Sequence, residues 1–67
     1  MTMNLESVQN QYRFAWKFPG DSVTQYGTFL FDDPADARST HSAMQILFRN
    51  AVIWLEDREH NRVEIPN

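Results

Sequence analysis

The sequence predicts a small two-layer α+β domain, ordered β-β-α-β-β, with one helix packed on one face of a mainly antiparallel sheet. Three observations predict it. Residues 12–18, YRFAWKF, set an aromatic at every second position, which is the period of a strand. The run DDPAD at 32–36 reads as a helix start, and the residues after it recur at helical spacing. Residues 51–57 and 62–65 then return to short apolar runs split by the polar stretch REHN. A single helix and a few short strands bury their apolar faces most economically as two layers.

Taking the elements in order, residues 1–10 form a polar N-terminal segment expected to fray. Residues 11–67 form one α+β domain, with no internal repeat or linker. The first strand covers 11–18, and Pro19-Gly20-Asp21 marks a turn. Residues 23–31, VTQYGTFLF, are rich in β-branched and aromatic side chains and read as the second strand of a hairpin. Asp33 is placed as the helix N-cap and Pro34 at its first position, with Asp36 facing the positive end of the helix dipole. The helix is expected from Pro34 to Arg49 or Asn50, with a core stripe of Ala37, Thr40, Ala43, Met44, Leu47 and Phe48. Residues 51–57 make a third strand and 62–65 a short fourth. The other reading of 58–67 is an irregular tail, leaving ββαβ.

The strand period assigns faces. Tyr12, Phe14, Trp16 and Phe18 share one side and are expected to meet the helix, together with Phe29, Phe31, Ile53 and Leu55. The opposite face then holds Tyr26, Leu30, Val52 and Trp54, rimmed by Arg13, Lys17 and Glu56. One helix cannot cover both sides of a sheet. An apolar patch of Trp, Tyr and Arg has the make-up of a protein interface. Its occupant is the N-terminal segment through Leu5 and Val8, a second copy of the chain, or a different protein. On the helix, Ile46 falls opposite the core stripe between Arg38 and Arg49, a second candidate contact.

Composition narrows the function classes. Cysteine is absent, so the fold rests on apolar burial without disulfides and has no Cys-based metal site. The charge of −3 argues against a general polyanion binder, which needs a basic excess. The alternative is a nucleic-acid binder using Arg13, Lys17, Arg38, Arg49 and Arg62. The carboxylates Asp32, Asp33 and Asp36, and Glu56, Asp57 and Glu59, lack the spacing of a calcium loop and read as capping and turn residues. Gly20 and Gly27 form no phosphate loop. His41 is expected to be a partly buried structural imidazole, and its neighbours Ser39 and Ser42 lack an orienting acid and an oxyanion hole. No apolar run is long enough to span a bilayer, and the N-terminus carries no secretory pattern. The expectation is a cytoplasmic, non-enzymatic binding protein with no cofactor and no metal. It would act on another protein or on itself, as a homodimer or as a modulator or inhibitor of a larger machine. By size alone it resembles accessory proteins of phages and mobile elements.

Overall fold

The computed structural model describes residues 11–66. Its elements run β1 (Arg13–Lys17), β2 (Gln25–Tyr26), a 3-10 turn (Pro34–Ala37), α1 (Arg38–Leu47), β3 (Val52–Glu56) and β4 (Arg62–Val63). The strands form one antiparallel sheet in the order β2-β1-β3-β4, with α1 on one side. This is the α+β, β-β-α-β-β domain that the sequence predicts. The strands are shorter than expected, most of all β2, which keeps only two residues plus an isolated bridge between Tyr12 and Phe31.

The turns follow from local chemistry. The Asp21 N–H donates to the Phe18 carbonyl at 3.2 Å, closing a turn with Pro19 second and Gly20 third. Gly20 has φ +86°, the left-handed geometry that a type II turn needs at its third residue. Asp33 caps the helical segment as expected, accepting from the Ala35 N–H at 2.9 Å. Between β3 and β4, Asp57 accepts from the N–H groups of Glu59 and Asn61 and from the Asn61 side chain. These bonds stabilise the carboxylate, so the Asp57 pKa falls below its usual range, with the Asn61 N–H as the leading cause.

The core lies between α1 and the central strands. Phe14, Ala37 and Leu55 are buried, and Tyr12, Trp16, Phe31, Met44, Ile53, Val63 and Ile65 pack around them. The alternating aromatics of the first strand are therefore the inside of the protein. Phe14 meets Phe31 edge to face at 5.4 Å and stacks on the His41 imidazole at 6.0 Å. Trp16 and Phe18 both contact Phe48, at 5.6 and 5.7 Å.

Two expectations about the core are corrected. Thr40, Ala43 and Leu47 lie outside it, and Leu47 is 74% exposed. The line of α1 and its flanks that touches the sheet is Ala37, His41, Met44 and Phe48, spaced by 4, 3 and 4 residues. Two adjacent lines of the helix offer apolar residues, and the seat of the helix over Phe14 and Trp16 selects one. Phe29 also departs from its predicted side. Its ring meets the guanidinium groups of Arg13 and Arg58, whereas Phe31 packs in the core. The Leu30 and Phe31 N–H groups both donate to the Tyr12 carbonyl, so the ladder is irregular there. Thr28, Phe29 and Leu30 together span the position opposite Arg13, freeing Phe29 from strict alternation.

Candidate functional site: the sheet face away from the helix

Cross-strand pairing fixes what the second face of the sheet carries. Arg13 pairs with Glu56, Ala15 with both Tyr26 and Trp54, and Lys17 with Val52, while Glu56 also pairs with Arg62. Directly paired residues share a face. Tyr26, Val52, Trp54 and Lys17 therefore stand together, as the sequence predicts. Among the described residues no helix or strand is laid over them.

This face seals much of itself. Glu56 is 5% exposed and accepts from the Trp54 indole N–H at 2.9 Å and from Arg13 Nη2 at 3.3 Å. The same Arg13 nitrogen lies 3.2 Å from His60 Nδ1. The Arg13 guanidinium sits over the rings of Tyr26 and Phe29, at 4.2 and 4.7 Å from their centroids. Arg58 covers Phe29 at 4.3 Å and donates to the Gln11 side chain at 2.8 Å. Arg62 covers Trp54 at 4.2 Å. Beneath these side chains Ala15 is fully buried although no helix covers it. Its small side chain lets both aromatic partners close over the strand.

Arg13 and Glu56 are thus not the rim that the sequence predicts; they are the centre of a buried polar network. Each is charged, but each finds its partner across the strands, and a paired charge tolerates burial where a lone one does not. The surface left open is smaller and lies toward the other end of the sheet. Val52 is 60% exposed and Tyr26 49%. Beside them a cleft of about 290 Å³ is lined by Lys17, Phe18, Asp21, Val52, Trp54 and Arg62, among others.

The remaining candidates stand elsewhere. Leu30 is 72% exposed, but outside β2, beside the bridge to Tyr12. Ile46 is equally exposed on the helix, and Arg38 and Arg49 are exposed with it, on the layer opposite the Trp54 surface. Arg38 instead borders a second cleft of about 450 Å³, with His41, Ser42 and Gln45 on one wall and Ile53 and Val63 opposite. Within it the Ser42 hydroxyl donates to the Arg38 carbonyl and the His41 ring lies on Phe14, so neither is directed at the other. Leu5 and Val8 fall outside the described residues.

Sequence reasoning missed Arg58 and His60 as parts of the face. Both sit in the predicted turn, and only folding that turn against β1 brings them to Phe29 and Arg13. Among the described residues, no three His, Asp or Glu side chains converge to hold a metal ion. No described helix is long and apolar enough to cross a membrane. Comparisons with protein-family models, with curated proteins and with solved structures find no match to this chain.

Proposed function

We propose that the chain is a non-enzymatic, cytoplasmic binding protein that works through protein–protein contact, with the open end of the sheet as its docking surface. One observation carries this reading. Val52 and Tyr26 hold apolar area in solvent next to Trp54, on a face whose other half is closed by its own side chains. Exposed apolar area beside Trp and Arg is the composition of an interface centre. The partner is a second copy or a larger protein that this domain modulates or inhibits.

A second reading, single-stranded nucleic acid, draws support from the position of Arg13, Lys17, Arg58 and Arg62 on that same side. Arg38 and Arg49, the other cations that reading calls on, stand on the helix layer.

Val52→Glu tests the proposal, because this side chain is largely exposed and its loss leaves the core intact. Circular dichroism should be unchanged. Sedimentation, and capture from host extract with the extract nuclease-treated, should lose whatever self-association or protein partner the parent shows. Retention of every interaction by the variant places the docking surface elsewhere. Capture abolished by nuclease, and falling steeply with salt, favours the second reading.

A further inference from the structure

We infer that the occupant of this face is an acidic polypeptide segment, which sets its carboxylates on Lys17 and Arg62 and an apolar side chain on Val52. The inference rests on the proposal that the face docks protein, and it names the chemistry of the partner.

Charge is segregated across this protein. The chain is net negative, yet four of its six basic residues (Arg13, Lys17, Arg58 and Arg62) belong to this side of the sheet. Arg13 is ion-paired with Glu56 through Nη2 at 3.3 Å, although its buried Nε finds no partner. Among the described residues, Lys17 and Arg62 have no carboxylate within ion-pair distance, and both line the same 290 Å³ cleft. Asp21 is the one carboxylate in the lining, so two cations face a single anion, and this net positive, partly apolar cleft on an acidic protein complements a negatively charged partner.

Arg62 is also preorganised. Arg62 stands across from Glu56 in the ladder, yet its guanidinium leans diagonally onto the Trp54 ring. A guanidinium already seated over an aromatic ring still has N–H groups to offer a carboxylate, and less rotamer entropy is lost when one binds. The cleft falls just below the ~300–1,000 Å³ usual for small-molecule sites. One or two side chains of a docked segment suit it better than a cofactor.

Two other occupants fit less well. In a two-fold dimer through this face, the two cations of each cleft would find only the single Asp21 carboxylate of the other, which leaves positive charge uncompensated. A nucleic-acid base stacking on Trp54 or Tyr26 would compete with guanidinium groups already seated there. The acidic remainder of the surface also opposes a long polyanion.

The test is a titration of the full ¹⁵N-labelled chain, read at the Lys17 and Val52 amides and the Trp54 indole N–H. The probes are a peptide alternating glutamate with leucine, the same peptide with glutamine or with lysine for glutamate, and oligothymidylate. Only the glutamate peptide should move these signals strongly. The glutamine version should bind about tenfold more weakly, and Arg62→Glu or Lys17→Glu should weaken the glutamate peptide by a similar factor. If the glutamine or lysine peptide binds as tightly, the face docks protein without this charge preference, and the inference alone falls. Silence from all probes, with a dimer that Val52→Glu dissociates, also removes only the inference. If oligothymidylate alone binds, or if nothing binds, the chain is monomeric and host extract yields no protein that Val52→Glu fails to capture, the docking proposal falls too.

Discussion

The two faces of one four-stranded sheet are closed by different physics. Under α1, closure is apolar: Leu55 is fully buried, and Phe14, Phe31, Trp16 and Met44 pack around it and Ala37. On the other side, the interior is polar and built from the sheet's own side chains, with Glu56 at its centre, Arg13 paired to it and Ala15 shut in beneath. The first arrangement needs a second layer. The second needs none where long side chains reach across strands, so the surface left for a partner shrinks to the end where Val52, Lys17 and Tyr26 stand. A sheet face without a helix is therefore not wholly an open face.

The largest expected effect comes from the apolar side. Leu55→Ala removes the largest fully buried side chain and should cost about 2–5 kcal/mol, read as a fall in the urea midpoint. A domain this short sits near the lower end of the ~5–15 kcal/mol stability range, so at the upper end of that loss much of it would be unfolded without denaturant. A loss below about 1 kcal/mol would mean that the helix-covered face does not dominate the fold.

Glu56→Ala probes the polar side and should cost less, roughly 2–3 kcal/mol. It strands the Arg13 guanidinium, whose side chain is only 15% exposed, and leaves the Trp54 indole without its acceptor. Replacing Arg13 by Met and Glu56 by Leu together should recover much of that loss, because neither variant residue then buries an unpaired charge. Urea unfolding of Arg13→Met, Glu56→Leu and the double gives the coupling. Near-additive losses would show that the network adds nothing beyond its parts, and the contrast between the faces would collapse.

The sequence made some of this architecture legible and hid the rest for definite reasons. Strand alternation is a strict geometric rule, so Phe14 and Trp16 against Ala15 and Lys17 could be assigned from order alone, and Val52 and Trp54 followed. The Asp33-Pro34 start was equally readable, because its chemistry is local. Phe29 was not, since how many residues stand opposite Arg13 depends on how the chain leaves β2; Gly27, a glycine inside the strand pattern, marks only the place where regular pairing can break. Arg13 and Glu56 were read as rim because a sequence shows charges without their partners. One clue was present: Glu56 lies two residues after Trp54 on the same strand face, within reach of its indole N–H. Of the candidate site, the Lys17, Tyr26, Val52 and Trp54 cluster was legible. The contribution of Arg58 depended on a turn folding back toward the first strand.

The smallest expected effect decides how the apolar face is actually closed. Two lines of the helical segment compete for the sheet, Ala37-His41-Met44-Phe48 and Thr40-Ala43-Leu47, and the structure buries the first. Leu47→Gln should then change stability by no more than about 0.5 kcal/mol, as for other exposed positions. Met44→Ala, three residues earlier on the seated line, should cost about 1–2 kcal/mol, less than a fully buried methionine because Met44 is only partly buried. The ratio of the two is the informative quantity. If Leu47→Gln proved the costlier, α1 would be turned about its axis in solution. Leu47 would then sit in the core, His41 would leave Phe14, and the 450 Å³ cleft bordered by His41 would lose its wall. The open face would be untouched by that rotation, because its closure rests on Arg13, Glu56 and Trp54, which make their contacts without the helix.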